Sequence, residues 1–216
     1  MLDQNGTVPL VWSDRLIGPR AVILALATFL LTVRLVPAQT PEPASVAGQL
    51  LVASPTMGDP RFSHTVILMV EHNRDGAFGI IINLPIEERP LASLLESLGE
   101  KNATVTGSVR IFAGGPVQPE VGFVVHSTDY RRPGTIGING SLAVTSSREI
   151  LLDISNNKGP TKSLVAFGYA GWGPGQLENE LGLGAWFIAS ADPKLVFDED
   201  RERLWDLAYS HRTQDL

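Results

Sequence analysis

From residue 49 onward the apolar residues come in short runs, broken by glycine, proline and polar clusters. Residues 49–53 (QLLVA) predict a strand that enters a loop over 54–61, where Pro55, Gly58 and Pro60 break regular structure. Residues 65–71 (TVILMVE) are a continuous β-rich run and predict a buried strand. A turn over 72–76 (HNRDG) and a second buried run over 79–84 (GIIINL) complete a hairpin. Leu91, Leu94, Leu95 and Leu98 sit at helical spacing and predict a short amphipathic helix. Residues 109–113 and 121–126 predict two strands around Gly114-Gly115-Pro116, and 136–144 a weaker strand region. Ser146 or Ser147 is placed to cap a helix through residue 154, with Glu149 in its first turn. Residues 163–169 predict a strand, 171–175 a glycine loop, 176–181 a short helix, 185–189 a strand, and 198–210 an acidic C-terminal helix. Strand pairs mixed with short helices, in place of strict strand–helix alternation, predict an α+β fold with a mixed or bent sheet. No internal repeat of 20–50 residues is present.

The first 45 residues follow a different pattern. Residues 21–33 (AVILALATFLLTV) are an uncharged apolar run flanked by Arg15, Arg20 and Arg34, and a Pro-rich stretch follows at 40–43. A membrane-crossing helix needs about 20 apolar residues, so this run is short for one. It fits the core of a secretory signal, with Val36 and Ala38 before a cut. Asp3, Asp14 and the late Arg34 depart from that pattern and leave two other readings, a membrane-associating or short anchor segment, or an extension that is disordered or translated from a start placed too far upstream. The chain therefore divides into a leader, 1–45, and a single domain, 46–216.

Composition narrows the chemistry. The 216 residues carry 17 Lys and Arg against 23 Asp and Glu, a net charge of −6. The leader is charge-neutral, with three bases and three acids, so the domain holds the whole imbalance. An acidic surface disfavours direct DNA binding, which displaces counterions with bases. The pair Arg131-Arg132 is too small a patch for several phosphate contacts, and no helix-turn-helix pattern is present. With no cysteine, thiolate catalysis, disulfides, Cys-ligated zinc and iron–sulfur clusters are excluded. At 44% hydrophobic and 19% charged residues, the composition is that of a core-forming domain.

Several constellations have both a functional and a structural reading. Gly171-x-Gly173-x-Gly175 follows a strand and precedes a helix, where backbone amides can cradle an anion or simply turn tightly. It matches neither nucleotide-binding fingerprint. His64, His72 and His126 could serve as bases or as loop anchors. His64 and His72 would lie roughly 26 Å apart on one strand, too far for one metal ion. Ser54, Ser146 and Ser147 lie outside any nucleophile motif. Gly114-Gly115 could form an oxyanion nest or a plain turn. Residues 198–202 read as a solvated helix start. Trp172, Trp186 and Trp205 read as core anchors, although Trp172, in its glycine loop, could stay half-exposed and stack on a ligand. Neither a cofactor fingerprint nor a metal-ligand spacing emerges.

Taken together, six strings are more specific than any alone: GQLLVA at 48–53, DPxF at 59–62, EHNxxGAFG at 71–79, GGPV at 114–117, TSSRE at 145–149 and GYAGWGxGQLE at 168–178. In this order they resemble the YqgE/AlgH family of bacterial proteins across about residues 47–210. The resemblance implies a compact α+β fold with a bifurcated sheet bent towards a pseudo-barrel, and a cytoplasmic location, against which the leader suggests export or membrane association. It brings no catalytic residues, and a role in transcription attached to the family rests on genetics in a few members.

The segments 71–79, 114–117 and 168–178 are glycine-rich polar loops. If they converge, they form a candidate pocket from His72, Asn73, Asn83, Gly114, Gly115, Gly171, Trp172, Gly173, Gly175 and Gln176. The favoured reading is a non-enzymatic regulatory or binding module that affects transcription indirectly, through a protein or small-molecule partner. The alternative is a hydrolase or transferase that uses His72 or His126 as base. Membrane contact could come only through residues 21–33.

Overall fold

The computed structural model describes residues 44–100, 105–197 and 200–213. The apolar run 21–33 and nearly all of the leader lie outside them. The elements in order are β1 (Gln49–Ala53), β2 (Val66–Asn73), β3 (Gly76–Ile81), β4 (Pro85–Pro90), α1 (Leu91–Ser97), β5 (Ser108–Ala113), β6 (Val117–Ser127), β7 (Thr135–Gly137), β8 (Leu142–Thr145), α2 (Glu149–Ser155), β9 (Ser163–Trp172), α3 (Gln176–Gly182), β10 (Trp186–Ser190), α4 (Pro193–Phe197) and α5 (Leu204–Ser210).

The fold is α+β, with one curled sheet forming a half-barrel. Its main path runs β10-β1-β2-β3-β9-β6-β8-β7, all antiparallel. A branch leaves at β9, where β5 pairs in parallel and carries β4 on its far edge. The fork follows from how β9 is shared. Residues 165–167 pair with β5, residues 170–172 with β3, and β6 follows the opposite edge. Gly114 sits at the crossing. Its N–H donates to the Phe167 carbonyl at 2.7 Å and its own carbonyl accepts from Ile81 N–H at 2.8 Å.

This crossing leaves no room for a side chain. A Cβ on Gly114 would lie 2.3 Å from the Gly168 carbonyl oxygen, and one on Gly115 2.1 Å from the Tyr169 carbonyl carbon. One on Gly168, which also has φ +76°, would lie 2.3 Å from the Gly115 oxygen. The pair Gly114-Gly115 is therefore a backbone crossing, neither a plain turn nor a free amide nest.

Three apolar clusters occupy the faces. The concave face holds Leu50, Val52, Leu68, Ile80, Val125, Val144 and Ala166, covered at one end by Leu204 and Ala208 of α5. On the convex side, α1 and α2 pack Leu94, Leu95, Ile150 and Leu151 over the β5–β9 branch. A second convex cluster joins Leu51, Ile67 and Met69 to Trp172, Trp186 and Leu177 of α3. The two ends of the curl meet through Asn139, in the β7–β8 turn. Its Nδ2 donates to the carbonyls of Gly48 and Ala191, each at 3.2 Å.

Several expectations need correction. Strand β4 was not anticipated, because PIEERP has prolines at both ends and mostly exposed side chains. An edge strand tolerates both, since only one of its sides is paired. The run 79–84 forms its strand three residues earlier, at 76–81, and the weak region 136–144 is the hairpin β7–β8. The C-terminal helix expected over 198–210 begins only at Leu204, and a separate, unanticipated helix, α4, precedes it. Asp192 Oδ1 accepts from Lys194 N–H at 2.7 Å, and Pro193 opens α4 with its fixed φ. A turn over 201–203 precedes α5, so 200–202 is no helix start, while Asp198 and Glu199 lie outside the described residues. Neither Ser146 nor Ser147 caps α2 by its side chain. Arg148 holds the cap position without a side-chain bond, and the Ser147 hydroxyl donates to Glu149 instead.

Gly168→Ala should destabilise the fold by about 2–4 kcal/mol, because left-handed strain adds to a clash with fixed backbone. Gly182→Ala, in open space near the end of α3, should be neutral or stabilising by up to about 1 kcal/mol. Urea denaturation midpoints of the two variants check the contrast.

Candidate functional site

Two β-bulges build the site by changing which side chains face inward. Side chains alternate along a strand, so one extra residue reverses the pattern. In β2 the register against β3 shifts between Met69 and Glu71. Val66, Leu68 and Val70 face the concave core, and after the shift Glu71 and Asn73 face that same side. In β9, Leu164 and Ala166 face the concave core, and the irregularity at Gly168 turns Tyr169 and Gly171 onto it.

The result is a cleft of about 950 Å³ at the end of the curl away from α5. Phe78, Tyr169 and Phe123 form an aromatic row along it. Tyr169 stands edge-to-face with Phe78 at 5.8 Å and with Phe123 at 6.1 Å. Val117, Val121, Ile136 and Val144 extend the apolar lining, while Pro133, Gly134 and Thr135 form the wall at β7. Glu71 and Asp75 stand at the β2–β3 end. Small partners give the aromatics room, since Gly171 pairs with Phe78 and Ala166 with Phe123.

The segments 71–78, 117–118 and 169–172 all reach this cleft. Of the candidate pocket residues, Asn73, Gly171 and Trp172 line it. Asn73 braces its turn, accepting from Asp75 N–H and donating to Glu71. Trp172 ends β9 and is 7% exposed. Its indole N–H and that of Trp186 both donate to Glu180 Oε2 at 2.8 Å, and the two rings meet edge-to-face. Its ring packs on the convex side with Met69, Leu177 and Trp186, so only its backbone borders the cleft and the indole is not free to stack on a ligand there.

The remaining candidates lie elsewhere. Alternation places His72 on the convex side, opposite its neighbour Asn73. Asn83 is buried and ties two turns, accepting from Val66 N–H and donating to the His64 carbonyl, both at 2.8 Å. Gly114 and Gly115 are spent on the crossing. Gly173 and Gly175 form the loop before α3, where Gln176 Oε1 itself accepts from Gly173 N–H at 3.1 Å. Phe78, Phe123, Tyr169 and Glu71 were missed. Only strand register could reveal them, because it sets which aromatic faces a glycine or alanine.

The histidines have well-defined hydrogen-bond roles. His72 Nδ1 accepts from Val46 N–H at 3.1 Å, so Nε2 carries the proton and donates to Glu178 Oε1 at 3.1 Å. Glu178 is held below the usual carboxylate range, first by its own backbone N–H and then, against desolvation, by His72. Together with Ser45, whose hydroxyl donates to the His72 carbonyl, this anchors the start of the domain. His126 is fully buried. Its Nδ1 donates to the Ser127 carbonyl at 2.8 Å, so Nε2 accepts from the Thr145 hydroxyl at 2.9 Å. Thr135 then donates to Thr145 at 2.7 Å and accepts from Arg132 N–H. The chain thus runs from the core to the cleft wall at β7. Burial pushes the His126 imidazole below its ordinary value, against the Ser127 carbonyl and the Asp129 carboxylate. His64 is exposed, with Nδ1 against Ser63 and its ring edge-on to Trp205. Ser54 is buried against Thr56. Among the described residues no group of three or more metal-ligating side chains converges, and no helix is long and apolar enough to cross a membrane.

Comparison with known proteins gives a consistent answer. The family model described as AlgH-like matches residues 50–216. A UPF0301 protein of Sphingopyxis alaskensis is 42% identical over 174 residues, 80% of this chain and 92% of that protein. One from Jannaschia sp. is 45% identical over 165 residues, 76% and 86% of the two chains. The solution structure of AlgH from Pseudomonas aeruginosa superposes with a TM-score of 0.65 at 38% identity, covering 78% of this chain and 89% of that one. A crystal structure of a Corynebacterium diphtheriae protein, at 23% identity and TM-score 0.61, shares the fold, over 76% and 86% of the two chains.

The His126 chain predicts a pH dependence of stability. A folded-state pKa below the unfolded value of about 6.5 contributes stability that is present above that value and lost as pH falls through it. The denaturation midpoint should drop between about pH 7.5 and 5.5. His126→Gln should start lower and show a flatter profile; an unchanged slope would count against the assignment.

Proposed function

The chain belongs to the AlgH-like family, and from that premise we propose that it is a non-enzymatic binding module whose ligand docks in the concave cleft. The observation that carries this reading is the cleft itself. Its volume of about 950 Å³ is at the upper end of small-molecule sites. Its lining joins apolar and aromatic side chains to polar groups, the acids at the β2–β3 end and the neutral Gln118, Thr135, Ser146 and Ser147 elsewhere, the composition of a ligand site. Phe78, Phe123 and Tyr169 are only partly buried, and apolar surface left partly wet at the mouth of a rigid sheet favours a covering ligand.

The disposition of the histidines supports binding over catalysis. A general base needs a free lone pair within reach of a proton. His72 and His126 each have one ring nitrogen donating and the other accepting, to groups of the fold. The net charge of −6 and the acidic end of the cleft favour action through a bound ligand or partner, so an effect on transcription would be indirect.

A thermal-shift panel on the full chain tests this, covering nucleotides, sugar phosphates, organic acids, amines and divalent metals. A ligand at 100 times its Kd adds about 2.7 kcal/mol, a rise in Tm of roughly 5–10 °C for a domain of this size. A hit should disappear in Phe123→Asp, whose own unfolding transition must remain cooperative. It should be recovered chemically unchanged after incubation. Turnover of the hit, lost in His72→Ala or His126→Ala, would overturn the non-enzymatic reading. Salt-sensitive, sequence-specific gel shifts would overturn the indirect one.

A further inference from the structure

We infer that the cleft selects a small organic cation, an ammonium or guanidinium group joined to an apolar body. This rests on the binding reading above and adds the sign of the ligand's charge. Among the described residues lining the cleft, Glu71 and Asp75 are the charged ones, and both are acids. Both side chains are exposed. Among the described residues neither carboxylate forms an ion pair: Glu71 accepts from the Asn73 amide, and Asp75 is tied to the turn through its backbone N–H, which donates to Asn73 Oδ1. Arg74, Arg131 and Arg132, the bases near these segments in sequence, are not among the residues that line the cleft. Arg132 is held by Asp153 at 2.9 Å, and Arg74 projects from the β2–β3 turn outside the lining.

The aromatic row points the same way. A ring face carries partial negative charge, and a cation over it is attracted. Glu71 stands directly opposite Phe78 in the β2–β3 register, so a carboxylate and a ring share one end of the cleft. Tyr169 and Phe123 continue the row inward. Thr135, Ser146, Ser147 and Gln118 supply neutral polar atoms, and the lining offers an anion no cationic side chain. A carboxylate or phosphate ligand would leave two like charges facing it, whereas a cation finds charge, ring faces and apolar wall together.

Three probes of similar size separate the possibilities: benzyltrimethylammonium, neutral N-benzylacetamide and anionic 3-phenylpropionate. Each is titrated into the full chain by calorimetry, with Phe and Tyr NMR signals locating the contact. The cation should bind at least about tenfold more tightly than the other two, and its affinity should fall with added salt while that of the amide does not. Glu71→Gln with Asp75→Asn, an exposed pair that should leave Tm unchanged, should cost the cation about tenfold. Tyr169→Phe should retain binding, and Tyr169→Leu should lose about fivefold for the cation alone. Equal or tighter binding of the amide or the anion in the cleft would overturn the cation inference and leave the binding module standing. No binding by the cation at millimolar concentration would also overturn it, while the broad panel judges the module separately.

Discussion

Gly114 and Gly115 lie flat against Gly168 and Tyr169, and everything distinctive about this sheet depends on that contact. Two backbone segments pass close enough that any Cβ would fall within about 2.3 Å of main-chain atoms. Because they do, β9 can hand its edge from β5 to β3 without losing a hydrogen-bond partner: Gly114 bonds Phe167 on one side and Ile81 on the other. The fork creates two separate convex surfaces, one under α1 and α2 and one under α3. The same residues set the parity of β9. With Gly168 in a left-handed conformation, Tyr169 and Gly171 turn to the concave side that Leu164 and Ala166 occupy before it. The fork and the β9 side of the cleft are two results of one steric requirement, and the bulge in β2 adds the other side.

The polar residues that look most chemical in sequence hold this arrangement in place. His72 joins the backbone at Val46 to Glu178 on α3. Glu180 gathers the indoles of Trp172 and Trp186 and the amide of Gln176. His126, Thr145 and Thr135 form an ordered chain through β6, β8 and β7. In each case a buried donor or acceptor would be costly without its partner, about 1–3 kcal/mol, so these groups fix geometry strongly. The cleft wall at β7 and the end of β9 are supported from behind by such networks, leaving Phe78, Tyr169 and Phe123 to face the cleft.

Much of the fold was legible because local signals agree. TVILMVE and SLVAFGY could hardly be anything but buried strands, and the leucines at 91, 94, 95 and 98 give their helix by spacing alone. The hairpin β2–β3 follows from Asp75-Gly76 between two β-rich runs. Elements without an apolar rhythm were not legible. PIEERP becomes β4 through its pairing with β5, a long-range contact that leaves no mark on the segment itself. The start of α4 does carry a local mark, Asp192-Pro193, a side-chain acceptor followed by a residue with helical φ, whereas the turn before α5 interrupts a run whose composition alone reads as helix.

By itself the sequence determined the family, the α+β class, the central strands and the segments that meet at the site, because those are written in composition, short-range periodicity and six motif strings. It left Gly114-Gly115 open between a nest and a turn, and only the structure shows that 114, 115 and 168 must be glycine because two backbones cross there. The tertiary structure decided which side of the sheet each residue faces. A bulge reverses alternation, and a bulge is a property of two paired strands, invisible in one. That is why Asn73 reaches the cleft while His72 does not, and why a tyrosine, two phenylalanines and a glutamate, unremarked along the chain, come together as its floor and rim.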